Sequence, residues 1–154
     1  MDHAFSSAVS LEPSKVVDPN ALLLDAHSKT KAQGYSTACI TTLRREDNKL
    51  CYTNVGDSGF LVFQNKRLLF CSPTQQHHFN CLYQLKKGAE ARVCEGEVEV
   101  EGGDVVVAGS DGLLDNLFVE EMEWILEDTV EGRRIVLHVH SINWWLVLSR
   151  IQLG

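Results

Sequence analysis

Three aspartates stand where carboxylates could bind a metal ion. Asp57 lies in the sequence Gly-Asp-Ser-Gly between two apolar runs, and Asp111 directly follows the apolar run DVVVAGS. Asp115 comes four residues after Asp111, a separation that places both side chains on one face of a helix. Hard cations such as Mg²⁺ and Mn²⁺ prefer carboxylate and water oxygens. The chemistry that such a site would support is metal-assisted hydrolysis of a phosphate ester.

Each of these positions also has an ordinary structural interpretation. The sequence Gly-Asp-Ser-Gly is typical of a hairpin turn, and Ser110 before Asp111 is typical of a helix N-cap. Asp115 could be an acid that favours the first turn of a helix through the helix dipole. From spacing alone, the structural and the metal-binding interpretations both stay open.

Two other kinds of site are less well supported. His77, His78 and Cys81 form half of a zinc ligand set, but two further ligands at the required spacing are not evident. Ser58 and Ser110 lack the nucleophile-elbow pattern, so a hydrolase of the Ser-His-Asp type has no support.

The composition limits the classes of protein to consider. The chain has 154 residues, 44% of them hydrophobic, and a net charge of −7 that argues against nucleic acid as the main partner. Five cysteines without a CxxC pair favour a reducing, intracellular compartment. The first residues lack the apolar core of a secretory signal and the arginines of a transit peptide. The longest uncharged apolar stretch is 15 residues against the ~20 needed to span a bilayer, so we expect a soluble protein.

Turn and cap residues divide the chain into short elements. Asp18 as N-cap and Pro19 at the first helical position predict a helix that ends at Gly34. Residues 72–96 are expected to be loop with a helical turn or two. Gly102 and Gly103 predict a hairpin turn into a buried central strand, DVVVAG, which a helix over 113–128 follows. Four strands of a meander are predicted between the first helix and the loop, at residues 36–45, 50–55, 60–64 and 67–71.

The composition changes near residue 129. Residues 1–130 carry a net charge of −9, whereas residues 131–154 carry +2. We therefore divide the chain into a lead-in at 1–17, a core at 18–128 and a divergent tail at 129–154. The tail is expected to pack poorly against the core, with Trp144 or Trp145 exposed, and its deletion is expected to cost little stability.

Several motifs in this order resemble the protein phosphatase 2C family of metal-dependent Ser/Thr phosphatases. They are AHSKTKAQGYSTAC, STACITTL, TNVGDSGFLVF, SPTQQHHFN with YQL, and EGGDVVVAGSDGLLDNL. The QQH-x-FN element is similar to the branch known from plant and mitochondrial members. The resemblance covers about residues 18–128. It implies an α+β fold, part of a four-layer α-β-β-α sandwich of antiparallel sheets flanked by helices.

The resemblance also assigns residues and ligands. It implies Mg²⁺ or Mn²⁺ as cofactor and phosphorylated proteins as substrates. Asp111 would bind a catalytic metal, and Gly112 is assigned to the same metal site. Asp57 and Asp115 would bind an additional, more weakly held ion. Such a shared site requires the Gly56-Asp57 turn and the Asp111-Gly112 junction to lie at the same end of the sheets.

The sequence also departs from the family pattern. The family has an earlier Asp-Gly motif that bridges two metals and a final Asp-Asp strand that supplies another ligand. Here the only Asp-Gly pair is Asp111-Gly112, and the residues after Asp128 do not resemble the family. We therefore expect part of a phosphatase domain with weak activity or none. The alternatives are a non-catalytic, phosphatase-like interaction protein and an incomplete gene product.

Overall fold

The computed structural model describes residues 17–78, 81–128, 138–139, 144–145 and 147–151. Their contacts divide the chain into two compact units, the first of Met1–Asp57 and Gln75–Glu99 and the second of Ser58–Thr74 and Val100–Gly154. The elements in chain order are α1 (Pro19–Lys29), β1 (Tyr35–Ser36), β2 (Ala38–Arg44), β3 (Lys49–Val55), β4 (Gly59–Gln64), β5 (Arg67–Cys71), β6 (Gln76–His78), β7 (Cys81–Leu82), β8 (Leu85–Lys86), β9 (Cys94–Glu99), β10 (Val105–Gly109), α2 (Asp111–Leu114), α3 (Val119–Asp128), β11 (His138–Val139), β12 (Trp144–Trp145) and β13 (Val147–Arg150).

The first helix, α1, begins as the sequence predicts and ends earlier. Asp18 is the N-cap, and its side chain accepts a hydrogen bond from the backbone N–H of Asn20 at 3.0 Å. The helix ends at Lys29 rather than at Gly34, because Thr30 is already extended. The hydroxyls of Ser28 and Thr30 donate to backbone carbonyls at the end of the helix, and such bonds compete with continued helix formation.

The sheet of the first unit has the strand order β2-β3-β9 and is antiparallel throughout. One face of α1 packs on it, so that Leu23 is buried with Ala38 and Val55. The described residues of 72–96 form the short strands β6 and β7, which pair with each other, and β8, which pairs with β1, instead of the expected helical turns. An antiparallel sheet that a helix covers on one face is the α+β arrangement that we predicted for this region.

The sheet of the second unit has the order β13-β10-β4-β5 and is also antiparallel. The prediction that DVVVAG is a central strand is confirmed, because β10 lies between β4 and β13. Helices α2 and α3 pack on this sheet. Its buried core comprises Leu61, Phe63, Val107, Leu113, Met122 and Leu126. The α+β fold class is therefore confirmed in both units.

Residues 113–128 form two helices rather than the single helix that we predicted. The first is the single-turn helix α2, and the chain leaves helical geometry before α3 begins at Val119. The break coincides with a new helix start, at which the carboxylate of Glu121 accepts a hydrogen bond from the backbone N–H of Phe118 at 2.9 Å. This is the half of a capping box in which the third helical residue binds back to the cap.

The two expected hairpins are wrong, because each turn joins strands of two different sheets. The turn at Gly56 joins β3 to β4, yet β3 pairs with β2 and β9 whereas β4 pairs with β10 and β5. The turn at Gly102 and Gly103 likewise joins β9 of one sheet to β10 of the other. Almost every residue of β3 and β4 is buried, so neither strand has the solvent-facing side that a surface meander would leave.

The expectation that the tail packs poorly is wrong for residues 147–151. Strand β13 pairs with β10 over four positions, from Val105 opposite Arg150 to Ala108 opposite Val147. Beyond the strand, Ile151 is buried, and its backbone N–H donates to the carbonyl of Asp104 at 2.8 Å. A β-strand needs only an open edge and an apolar face to pair, so a change in composition does not prevent packing. The side chains of Trp144 and Trp145 lie outside the described residues, and the boundary at residue 129 stays a prediction.

No helix in the described part of the chain is long and apolar enough to cross a membrane.

Candidate metal site

The Gly56-Asp57 turn is a tight element of the first unit. Gly56 has a φ of +86°, a conformation that residues with a side chain rarely adopt. A Cβ at this position would lie 2.5 Å from Cγ2 of Thr37 and 2.6 Å from the carbonyl oxygen of Tyr83. Glycine is therefore required both by the backbone conformation and by the close approach of the neighbouring chain. The half-buried Asp57 follows this glycine directly.

Gln75 binds both polar backbone groups of Gly56. Its backbone N–H donates to the carbonyl of Gly56 at 2.9 Å, and its side-chain Oε1 accepts from the N–H of Gly56 at 3.3 Å. The carbonyl of Gln75 in turn accepts from the N–H of Tyr83 at 3.3 Å. The sequence analysis missed this role of Gln75. Gln75 belongs to the QQH-x-FN element, which we assigned to the family branch without a physical function, and no local pattern indicates a bond to a residue 19 positions earlier.

Asp111 and Asp115 lie in the second unit, where the central strand gives way to a helix. Strand β10 ends at Gly109, and the carbonyl of the N-cap Ser110 accepts from the N–H of Leu113 at 3.0 Å. The N–H of Asp115 donates to the carbonyl of Asp111 at 2.7 Å, which is the i to i+4 bond of a helical turn. Both aspartates are exposed and one turn apart, as the spacing predicts.

The local packing explains why the chain turns so sharply before Asp111. A Cβ on Gly109 would lie 2.5 Å from Cδ2 of Leu113, so the helix returns directly over the end of the strand. Leu113 is buried in the core of the second unit and anchors this turn. At Gly112, the carbonyl accepts a hydrogen bond from the side-chain amide of Asn116 at 2.9 Å, which leaves one lone pair of that oxygen for another partner.

The donor chemistry of these residues fits a divalent cation. Carboxylate oxygens are the ligands that Mg²⁺ and Mn²⁺ prefer, and Mg²⁺ commonly binds one or two carboxylates and keeps several waters. Asp111 and Asp115 supply such a pair on one helical turn. Among the described residues, no group of three or more His, Cys, Asp or Glu side chains is close enough to hold a metal ion. The expected proximity of the Asp57 turn to the Asp111 turn stays a prediction, because the two belong to different units.

The alternative chemistries gain no support. Strands β6 and β7 carry His78 opposite Cys81, but the side chains of the suggested zinc half-site lie outside the described residues.

Burial raises the pKa of the Cys39 thiol to about 12. Burial also raises the pKa of the Cys51 thiol above its ordinary value. Both thiols are therefore protonated at neutral pH and are poor nucleophiles.

A pocket of about 340 Å³ lies in the first unit beside the start of α1, and Arg44 and Glu97 are among the residues that line it. Two of the charged groups that line it, Arg44 and Glu97, form an ion-pair network with Asp47 and Lys49. The Arg44 guanidinium holds the pKa of the Asp47 carboxyl below its ordinary value, and the Lys49 ammonium, followed by Arg44, does the same for Glu97. This pocket therefore presents an ion-pair network rather than a set of open ligands.

Comparison with known proteins gives consistent relatives. The chain is 43% identical over 136 residues to "Probable protein phosphatase 2C 80" of Arabidopsis thaliana, a match that covers 86% of this chain and 32% of that protein. It is 38% identical over 116 residues to "Protein phosphatase PTC7 homolog fig" of Drosophila mojavensis, covering 65% of this chain and 37% of the relative. No protein-family model matches the chain. The chain thus spans about a third of the length of these curated relatives.

The solved structures that the chain resembles are also phosphatases. The structure titled "X-ray structure of the photosystem II phosphatase PBCP" matches with a TM-score of 0.74 and 30% sequence identity, covering 84% of this chain and 51% of that one. The serine/threonine phosphatase PstP/Ppp of Mycobacterium tuberculosis matches with a TM-score of 0.63 and covers 81% of this chain and 65% of its own. At 18% identity, the second likeness concerns the fold alone.

Proposed function

Because the chain belongs to the protein phosphatase 2C family, we propose that it is part of a metal-dependent phosphatase that hydrolyses phosphoserine and phosphothreonine in proteins. The observation that carries this proposal is the position of Asp111. It lies two residues after the end of the central strand, within a motif that resembles the family's second Asp-Gly element. The helical turn that carries Asp111 is anchored in the buried core by Leu113, whereas Asp111 itself is exposed to solvent.

Each proposed ligand has a separate role. Asp111 would bind a catalytic ion, with the carbonyl of Gly112 nearby. Asp115, one turn later, and Asp57 would each be a ligand of a more weakly held ion. A bound divalent cation lowers the pKa of a coordinated water and offsets negative charge on the phosphoryl oxygens. The specific ion, Mg²⁺ or Mn²⁺, is part of the proposal. The protein contributes oxygen donors on a helical turn that the packing of Leu113 against Gly109 holds in place.

We expect the chain on its own to have very weak phosphatase activity or none. It contains one Asp-Gly pair, whereas the family pattern has an earlier Asp-Gly aspartate that bridges two metals. Two ions about 3.5–4 Å apart are needed to stabilise both the attacking and the leaving oxygen. A misplacement of ~1 Å already costs about 10²-fold in rate. A non-catalytic, phosphatase-like binding protein is therefore the second candidate.

The experiment compares the full chain with Asp111→Asn and with Asp128→Asn. Asp128→Asn makes the same chemical change at an exposed carboxylate at the end of α3. Release of phosphate from a phosphothreonine peptide is measured in millimolar Mn²⁺, and Mn²⁺ binding is measured separately by electron paramagnetic resonance. We expect Asp111→Asn to abolish any turnover and to weaken Mn²⁺ binding at least ~10-fold. Asp128→Asn should change neither quantity.

Two results would decide against the proposal. Equal turnover in the wild type and Asp111→Asn would remove Asp111 from the reaction. Mn²⁺ binding that Asp111→Asn leaves unchanged would remove Asp111 as a metal ligand.

A further inference from the structure

We infer that Gln75 is a positioning residue for Asp57, because it fixes the conformation of the glycine on which Asp57 is carried. This inference rests on the proposed function in that it treats Asp57 as a ligand of a divalent cation. The residues concerned all belong to the first unit, so the geometry is complete within it.

The argument begins with the two peptide groups beside Gly56. The N–H of Gly56 belongs to the peptide group that precedes its Cα, and the carbonyl belongs to the peptide group that leads to Asp57. Gln75 binds the first through its side-chain Oε1 at 3.3 Å and the second through its backbone N–H at 2.9 Å. Both peptide planes are therefore tied to one residue, and the torsions φ and ψ of Gly56 are fixed together.

Glycine makes this restraint necessary. A residue without Cβ has the widest choice of backbone conformations, so an unrestrained Gly56 could place Asp57 in more than one position. Glycine cannot be replaced here, since Thr37 and the carbonyl of Tyr83 occupy the space of a Cβ. The conformational freedom must therefore be removed from outside, and Gln75 does so.

Gln75 is itself anchored. Its carbonyl accepts a hydrogen bond from the N–H of Tyr83 at 3.3 Å, and the strand β6 begins at the next residue, Gln76. The side chain of Gln75 is half-buried, whereas that of Gln76 is exposed. Two neighbouring glutamines thus differ in whether they bind the turn, and the second is a matched control for the first.

The experiment uses the full chain and a set of glutamine variants. Gln75→Met keeps the length of the side chain and removes the acceptor, and Gln75→Asn keeps the amide but shortens it by one methylene. Gln75→Glu keeps an acceptor oxygen at the same reach, and Gln76→Met is the control. Amide hydrogen exchange at Gly56 is measured by nuclear magnetic resonance without metal, and the dissociation constant for Mn²⁺ is measured by electron paramagnetic resonance.

We expect Gln75→Met and Gln75→Asn to speed the exchange of the Gly56 amide at least ~10-fold and to raise the Mn²⁺ dissociation constant by about tenfold, the lower end of the effect of losing an outer-shell partner. Gln75→Glu should restore slow exchange at Gly56, and Gln76→Met should match the wild type in both measurements. A variant that only lowered global stability would speed exchange throughout the core rather than at Gly56.

The outcomes separate this inference from the proposed function. Unchanged exchange at Gly56 in Gln75→Met, or faster exchange with an unchanged Mn²⁺ dissociation constant, would overturn the positioning role. A Mn²⁺ dissociation constant that Asp57→Asn leaves unchanged would overturn Asp57 as a ligand. The proposed site at Asp57 and the inference drawn from it would then fall together.

Discussion

Truncation of Ile151 to alanine tests whether the C-terminal strand belongs to the folded core of the second unit. The side chain of Ile151 is 6% exposed. Its backbone carbonyl accepts from the N–H of Gly103 at 2.9 Å, and its N–H donates to the carbonyl of Asp104 at 2.8 Å. The substitution leaves both backbone bonds in place, so it measures the burial of the side chain alone.

The expected magnitude follows from the atoms removed. Alanine lacks three carbon atoms of isoleucine, and each buried methylene contributes about 0.8 kcal/mol. The cavity that remains adds to this transfer free energy, and Ile→Ala substitutions in cores cost about 2–5 kcal/mol. We therefore expect Ile151→Ala to lower the free energy of unfolding by about 3 kcal/mol. With an m-value of about 2 kcal/mol/M in urea, the midpoint would fall by about 1.5 M.

The assay is urea unfolding followed by far-ultraviolet circular dichroism, with Leu69→Ala as the control. Leu69 is 46% exposed on β5 of the same sheet, and its truncation should cost less than ~1 kcal/mol. Deletion of residues 131–154 should cost more than Ile151→Ala, since it also removes the pairing of β13 with β10. A loss below ~1 kcal/mol for Ile151→Ala, or one no larger than for Leu69→Ala, would refute the reasoning.

Two further predictions concern single interactions. Gly56→Ala should lower the free energy of unfolding by at least ~3 kcal/mol in a urea titration, because the cost of a positive φ and the cost of a steric clash add. The control is Gly88→Ala, where φ is +77° but the space around the residue is open, and it should cost about 1–2 kcal/mol. Similar losses for the two variants would contradict the clash at Gly56. The pKa of the Glu123 carboxyl lies below its ordinary 4.5, mainly because it accepts a hydrogen bond from the backbone N–H of Leu68 and secondly because it binds the Arg67 guanidinium. The ionised Glu123 carboxylate therefore contributes to the free energy of unfolding above pH 4.5, and this contribution is lost as the pH falls through the folded-state pKa. Glu123→Gln should destabilise at pH 7 and progressively less below pH 4, with Glu120→Gln as control, and a pH-independent difference would rule out this linkage.

Local sequence signals predicted the elements well. The Asp18-Pro19 start of α1 and strands β2 to β5 lie within two residues of their predicted bounds. These features depend on neighbours in the chain, such as a cap that binds an N–H two residues on or a turn residue that ends a strand. The end of α1 was predicted wrongly because the side chains of Ser28 and Thr30 bond to backbone carbonyls there, and helix propensities of single residues do not include such bonds.

The candidate site was predictable only residue by residue. The sequence identified Asp57, Asp111 and Asp115 and the one-turn spacing of the last two, and the structure confirms that spacing. It could not indicate that Gln75 binds both sides of Gly56, since 19 residues separate them along the chain. Hydrogen bonds between distant residues depend on where the strands between them lead.

The sequence by itself determined the start of α1, the main strands, the family and the acidic residues, because each of these depends on short-range chemistry or on ordered motifs. Only the tertiary structure decided which strands pair. In the structure, β3 and β4 belong to different sheets, as do β9 and β10, although the turns between them look like hairpins in the sequence. Strand β13 pairs with the central strand β10. The physical reason is that backbone N–H and C=O groups pair equally well with any strand of suitable register. The choice among partners is made by burial of apolar faces across the whole unit, and no short stretch of sequence records it.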